Sequence, residues 1–251
     1  MTSSTPLSEQ QVQHFKTHGF LVLENLLDES SLNQWRKQIW RELEASLDQP
    51  DSWPRERTGL DSYQYDPPES ALVHHPALTP IIQQLGGGEF VASGGAPIIR
   101  WPEPEKSWQM PESGHIDAYG ASGWAPFMIG ATTYLYDVEP KGGAFIFWPD
   151  SHHAAHRYFR QNPELVDGSF LKEEGFSWDV FCDNPKTGGQ EFVASAGDVV
   201  LWHSYLTHNG SINVNDSPRL ALFARWPHQH QRQVAEFRYE VPEDLWKYWA
   251  I

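Results

Sequence analysis

Hydrophobic positions recur at helical spacing in the first third of the chain and at strand-like spacing afterwards. From Leu7 to Gly19 the pattern predicts a helix, with Ser8 at the N-cap, Gln11 at the capping-box position and Gly19 as the stop. Phe20 to Leu23 is a short apolar run that predicts a strand. Asp28 or Ser30 then caps a longer helix, whose Leu32, Trp35, Ile39, Trp40 and Leu43 form a stripe suited to core packing. Residues 49–70 are rich in Pro, Asp, Arg and Tyr without a period, which predicts a long loop of the kind used for binding or as a lid. Thr79-Pro80 opens a short helix, ended by Gly86-Gly87-Gly88.

Beyond Gly88 the apolar runs shorten and are punctuated by Gly, Pro and Asp, the texture of an all-β barrel or sandwich. Strands are predicted at Phe90–Ala92, Ala96–Trp101, Phe127–Tyr136, Ala144–Trp148, Gly189–Val193, Asp198–Tyr205, Leu220–Trp226 and Phe237–Val241. A helical or irregular insertion from His153 to Ser177 interrupts them, and with Asn184 as its outer limit it joins the 49–70 loop as an expected specificity element. No repeat or linker divides the chain. The expectation is one domain over 1–251, helical over 7–88, with a β core over about 89–245.

Composition narrows the function classes. A single cysteine, Cys182, excludes an internal disulfide framework and a Cys-rich zinc module. The net charge of −15 argues against broad nucleic-acid binding and mildly against a polyanionic substrate, although a local basic pocket survives on an acidic protein. No apolar run approaches the ~20 residues that span a bilayer, and Met-Thr-Ser-Ser-Thr-Pro carries no secretory pattern, so a cytoplasmic protein with no membrane partner is expected.

Two stretches carry chemistry. In Ser113-Gly114-His115-Ile116-Asp117-Ala118-Tyr119, a histidine and an aspartate two residues apart leave the same face of an extended segment. One further histidine completes the two-His, one-carboxylate set that suits non-haem Fe(II) and leaves coordination positions open. With 12 histidines in the chain such a pair alone is weak evidence. The second stretch runs from Ala196 through His208 to Arg219: an apolar strand ends at His208, Asn209-Gly210 turns the chain, and Arg219 opens the next strand. If these strands are neighbours, His208 and Arg219 face one cavity, and an arginine there pairs bidentately with the far carboxylate of an iron-chelating cosubstrate.

These motifs resemble those of the phytanoyl-CoA dioxygenase family of Fe(II)- and 2-oxoglutarate-dependent oxygenases. The opening Leu7-to-Leu23 segment resembles the family's first helix and strand, and His115-Ile116-Asp117 its His-x-Asp. Gly142-Gly143-Ala144-Phe145 through Pro149-Asp150-Ser151-His152 is similar to its Gly-rich turn and Pro-Gly-Ser-His. Gly197-Asp198 through His208, Asn213 and Arg219 match its distal segment, including the eleven residues from histidine to arginine. The resemblance spans about residues 7–226. It implies a mainly β fold with flanking helices, built on a double-stranded β-helix (jelly-roll, cupin-like) core. It also implies Fe(2+) held by His115, Asp117 and His208, and 2-oxoglutarate anchored by Arg219, with O2 as the oxidant.

Two positions depart from the family pattern. The hydroxyl residue often found two after the distal histidine is Gly210 here, so Ser211, or Thr133 within Thr132-Thr133-Tyr134, is expected to help hold 2-oxoglutarate. The Pro-Gly-Ser-His glycine is Asp150. The implied reaction is oxidative decarboxylation of 2-oxoglutarate to succinate and CO2, coupled to oxidation of a C–H bond in a small molecule. Hydroxylation is expected first, with desaturation or ring formation next. Related halogenases lack the carboxylate ligand, so Asp117 argues against halogenation.

Plainer readings cover the other candidates. His203 is expected to pack in the core, and His74, His75, His152, His153 and His156 to be structural or on the surface. His228 and His230 lie in a polar run and are expected to be solvated, Arg225 to form a surface salt bridge, and Arg100 and Trp101 to line either the site or the core. Two rival functions remain: a cupin-like metal-dependent hydrolase or isomerase, for which Arg219 has no use, and a non-catalytic jelly-roll binding protein, for which the intact ligand set has none.

Overall fold

The computed structural model describes residues 6–251, and its first elements follow the local sequence signals. In α1 (Glu9–His18) the Ser8 hydroxyl accepts from the Gln11 N–H while the Gln11 side chain accepts from the Ser8 N–H, and Gly19 closes the helix at φ 76°. After β1 (Phe20–Leu23), α2 (Glu29–Leu43) is capped by Asp28, whose carboxylate accepts from Ser31 N–H at 3.0 Å. α3 (Thr79–Gly86) follows the long loop. The rest of the chain contributes β2 (Ile98–Arg100), β3 (Met128–Tyr134), β4 (Phe145–Phe147), α4 (Ser151–Gln161), β5 (Gln190–Glu191), β6 (Val199–His203), β7 (His208–Gly210) and β8 (Arg219–Pro227).

All strand pairs are antiparallel. They form one sheet in the order β1-β6-β3-β8-β2 and a second in the order β5-β4-β7. Side-chain alternation divides the interior into two layers. Inward positions such as Tyr134, Val200, Trp202 and Ala221 pack with Phe145 and Phe147 of the smaller sheet. The alternate positions, among them Ile129, Ala131, Leu201, Leu222 and Ala224, pack with Phe15, Trp35, Ile39 and Ile81 from the three N-terminal helices. A jelly-roll sandwich with helices against the outside of its larger sheet is the fold expected. Most of the tryptophans, including Trp35, Trp101, Trp148, Trp202 and Trp226, are core residues, each stabilising the fold by about 2–3 kcal/mol through buried apolar surface.

The structure corrects four expectations. β1 is the edge of the larger sheet, pairing Phe20 with Trp202 and Leu23 with Val199, so residues 7–88 are not simply a helical preface to the β core. Phe237–Val241 is not a strand: residues 235–239 form a 3-10 helix that drops Phe237 beside Phe127 and Tyr248. Both edges of β8 are already taken, one by β3 and the other by residues 90–94 and β2, so no partner edge remains for a further strand. The turn predicted at Asn209-Gly210 is instead part of β7, paired with Phe145–Phe147. Finally, α4 begins at Ser151, ahead of the predicted insertion. Asp150 precedes it at φ 67°, and its carboxylate holds His18 Nδ1 at 2.6 Å, so an aspartate serves at this left-handed position.

Candidate metal centre and its cavity

The extended segment 114–118 runs antiparallel to residues 204–208. His115 N–H donates to His208 O and His208 N–H to His115 O, both at 2.9 Å, so the two histidines stand directly opposite each other. Asp117 N–H donates to Ser204 O, which keeps the carboxylate on the same face as His115. Gly114 makes this approach possible. A Cβ at that position would lie 2.6 Å from His208 O and 2.7 Å from the Trp148 ring.

Asp117 Oδ1 lies 3.7 Å from His115 Nε2 and 3.6 Å from His208 Nε2. One ligand atom from each residue falls within 4.8 Å of the other two. His208 Nδ1 donates to Leu206 O at 2.9 Å, which fixes the tautomer that leaves Nε2 free as a ligand. Burial, reinforced by the neighbouring His115, lowers the His208 pKa to about 4, so the ring is neutral at pH 7. Burial alone would push Asp117 up. Interactions with His208, with the Arg225 guanidinium and with His115, felt as the groups titrate together at low pH, outweigh it and hold this carboxyl below the usual range. A deprotonated carboxylate and two neutral imidazoles are the donor set of a divalent transition metal, and an oxygen-rich magnesium or calcium site would look different.

The aspartate's second oxygen is also engaged. Arg225 Nε and Nη2 both approach Asp117 Oδ2 at 2.9 Å, and the guanidinium lies over the Trp202 ring. Arg225 is therefore not a surface salt bridge but the group that orients the carboxylate. Its partner is 108 residues away, which no local motif reveals.

His115, His208, Arg219 and Arg225 border one cavity of about 300 Å³. Ile98, Phe145 and Phe223 give it apolar walls, and Asp61 from the long loop reaches its rim. That loop is pinned to the sheet edge by Leu60 N–H to Pro97 O and Ile99 N–H to Thr58 O. His115 keeps 48 % of its side chain exposed and meets the edge of Trp178, which the 153–184 insertion supplies. Both segments expected to set specificity thus border the site.

Arg219 is buried at the other end of the cavity from Arg225, donating Nε to Gly143 O at 2.8 Å and Nη1 to Ile98 O at 3.1 Å. Burial, with Arg100 nearby, lowers its pKa to about 10, and it remains a cation at pH 7. Two expected helpers do not line the cavity. Thr133 shares strand parity with Ile129 and Ala131 and faces the helical layer, where its hydroxyl donates to Asp198 O at 2.7 Å. The Ser211 hydroxyl is buried against Ala144 O at 3.3 Å. Arg100 does line it, whereas Trp101 stacks on Trp53 in the core. His203 is buried beside Trp246 and Trp249, away from the cluster. His228 is buried against Phe90 and Phe237, and only His230 of that pair is solvated.

This geometry agrees with comparisons to known proteins. The phytanoyl-CoA dioxygenase (PhyH) family matches residues 15–221. The chain belongs to this family. It is accordingly a non-haem iron- and 2-oxoglutarate-dependent enzyme, and neither the hydrolase or isomerase reading nor the non-catalytic one fits that membership. No curated relative matches the sequence. Among solved structures, similarity in fold extends to the 2-oxoglutarate-dependent carbocyclase SnoK from nogalamycin biosynthesis. It is 19 % identical, with a TM-score of 0.59 over 88 % of this chain and 84 % of that one. The epimerase SnoN from the same biosynthesis is 18 % identical, with a TM-score of 0.59 over 87 % and 82 %. HygX from Streptomyces hygroscopicus, with nickel, 2-oxoglutarate and hygromycin B bound, is 19 % identical, with a TM-score of 0.56 over 88 % and 87 %. Among the described residues of the PhyH protein, no helix is long and apolar enough to cross a membrane.

Proposed function

We propose that His115, Asp117 and His208 hold a single Fe(II), that Arg219 anchors the distal carboxylate of 2-oxoglutarate, and that the enzyme oxidises a C–H bond of a small molecule, most simply by hydroxylation. The observation that carries this reading is the carboxylate of Asp117 standing between two neutral imidazoles at 3.6 and 3.7 Å, at one end of a cavity whose other end holds a buried arginine. When bound, iron with 2-oxoglutarate would activate O2, the oxidant, with one oxygen atom ending in succinate and CO2 as the other co-product.

The chain's own residues bind and position. Arg225 holds Asp117 Oδ2, so that Oδ1 is turned toward the two histidines. Leu206 O fixes the His208 tautomer. Phe145 and Phe223 give the cavity apolar walls, and a lower local dielectric strengthens an arginine's hold on a carboxylate. The exposed side of His115, bounded by Trp178, gives a substrate its approach. Asp117 favours oxygenation over halogenation, because a halide needs the coordination position that a carboxylate fills.

The carbocyclase and epimerase among proteins of similar fold support keeping ring formation and epimerisation beside hydroxylation. Anaerobic Fe(II) plus 2-oxoglutarate is expected to give a metal-to-ligand charge-transfer band in the visible, and folded protein without that band would overturn the cosubstrate assignment. A succinate-release screen over a metabolite panel would then find the substrate class. Product mass separates gain of one oxygen atom from loss of two hydrogens or no change.

A further inference from the structure

The position two after His208 is Gly210, where a hydroxyl residue was expected to help bind the cosubstrate. The structure shows what occupies that space. A Cβ on Gly210 would lie 2.8 Å from Arg100 Nη2 and 3.3 Å from Arg100 Nε. The Arg100 guanidinium therefore lies over the bare backbone of Gly210, inside the cavity shared with Arg219. Arg100 and Arg219 are also direct cross-strand partners in the β2–β8 register, so their side chains leave the same face side by side. Two adjacent cations repel, which helps lower the Arg219 pKa after burial has done so. An anion between or beside its members would relieve that repulsion.

The hydrogen-bond inventory points the same way. Arg219 already gives Nε and one Nη1 proton to main-chain carbonyls, so only part of its fork is free for a ligand. Arg100 Nε is buried and donates to no acceptor among the described residues. A buried donor without a partner is costly, and a ligand that accepts from it removes that cost. A carboxylate has two oxygens and about four lone-pair sites, more than the remaining edge of Arg219 fills.

We propose that Arg100 is the second arm of the 2-oxoglutarate clamp, sharing the distal carboxylate with Arg219 and replacing the hydroxyl that Gly210 lacks. This rests on the reading of Arg219 as the cosubstrate anchor. Gly210 and Arg100 form a matched pair, since any side chain at 210 would displace the guanidinium. Arg100 thereby makes the site selective for 2-oxo acids that carry a second carboxylate.

The test is an anaerobic titration of the Fe(II)-loaded protein, read by the charge-transfer band. The ligands are 2-oxoglutarate and 2-oxopentanoate, which has the same carbon chain without the distal carboxylate. Arg100→Gln is expected to raise the Kd for 2-oxoglutarate roughly 10- to 100-fold and to leave that for 2-oxopentanoate and the iron affinity unchanged. Gly210→Ser is expected to weaken 2-oxoglutarate binding in the native background and to strengthen it in the Arg100→Gln background, a reversal of sign that a general structural effect does not produce. Arg100→Lys, which keeps the charge and loses the fork, serves if the glutamine variant folds poorly and is expected to fall between. An unchanged 2-oxoglutarate Kd in Arg100→Gln would overturn the proposal and leave Arg100 free for an acidic substrate, as would an equal loss for both 2-oxo acids. Failure of the native protein to bind 2-oxoglutarate while binding iron would instead sink the Arg219 reading beneath it.

Discussion

Gly114 is the point at which a single methyl group should separate metal binding from folding. Its φ lies outside the left-handed region, so alanine is barred by space and not by backbone conformation. The added Cβ would meet His208 O at 2.6 Å, whereas ordinary contact begins at 3.4 Å, so the two segments must part by about 0.8 Å. That displacement falls between the backbones that carry His115 and His208, whose rings stand 4.4 Å apart. Ligand distances in a metal site tolerate about 0.2 Å. A shift of nearly 1 Å therefore spoils the triad long before it unfolds the sandwich. Gly114→Ala is expected to weaken Fe(II) binding roughly 10- to 100-fold, while costing about 1–3 kcal/mol of stability, or a fall in Tm of about 2–12 °C.

The control is Gly86→Ala, where a Cβ would crowd Phe90 at 2.5 Å on α3, with no ligand residue nearby. It should lower Tm by a similar amount and leave iron affinity unchanged. Anaerobic titration with Fe(II), or with a redox-inert divalent metal, measures the affinity, and scanning calorimetry of the metal-free protein measures Tm. If Gly114→Ala binds iron as well as the native protein while losing stability, the close pairing of His115 with His208 does not organise the site.

The remaining predictions address individual side chains. His208→Ala should abolish iron binding, whereas His203→Ala, five residues earlier and buried against Trp249, should retain it at some cost in stability; metal content after desalting decides. Arg219→Leu should weaken 2-oxoglutarate far more than iron in the same titration. Thr133→Val removes a bond to Asp198 O on the helical side of the sheet and should leave 2-oxoglutarate affinity unchanged, with a stability loss of about 1 kcal/mol. Acidification should destabilise the metal-free protein through His152 and His203, because burial lowers the first to about 3 and the second well below its ordinary value. The unfolded chain protonates both near pH 6.5, so stability is full above that pH and declines as pH falls toward the folded values. Urea unfolding at pH 8 and pH 5 should show this loss, up to about 2 kcal/mol for each histidine, and His152→Gln should flatten it.

What the sequence disclosed of this site was whatever lay close together along the chain. His115 and Asp117 are two apart and share a face in any extended segment. His208 and Arg219 are eleven apart, across one strand end and one turn. The capping box of α1, the N-cap of α2, the alternation of strands and the two flanking segments around the cavity are legible for the same reason. Thr133 was misjudged because β3 is buried on both faces, so hydrophobicity does not say which of Thr132 and Thr133 looks inward. Pairing decides it: Thr132 Oγ1 accepts from the inward Trp202 ring. His228 is not legible because its polar neighbours conceal the pocket that Phe90, Phe237 and Tyr248 form around it only once the chain folds. Arg225 was missed because its role depends on a carboxylate that only the fold brings near.

The placement of the arginines follows from one strand. On β8 the odd-numbered positions Arg219, Phe223 and Arg225 face the cavity, while Leu220, Leu222 and Ala224 face the helices. Six residues of strand set the two backbone positions about 20 Å apart, and long side chains reach back toward the centre from each. Arg225 thereby meets the His115, Asp117 and His208 cluster through Asp117, and Arg219 enters the same cavity from the start of the strand, with Phe223 on the wall between them. A one-residue slip of β8 against β3 would turn both guanidinium groups into the helical layer and bring leucines into the cavity. The pairing of β8 with β3 and β2 is thus as much a part of the site as the ligands. The spacing from His208 to Arg219 is held because Arg219 must open the strand on its inward face.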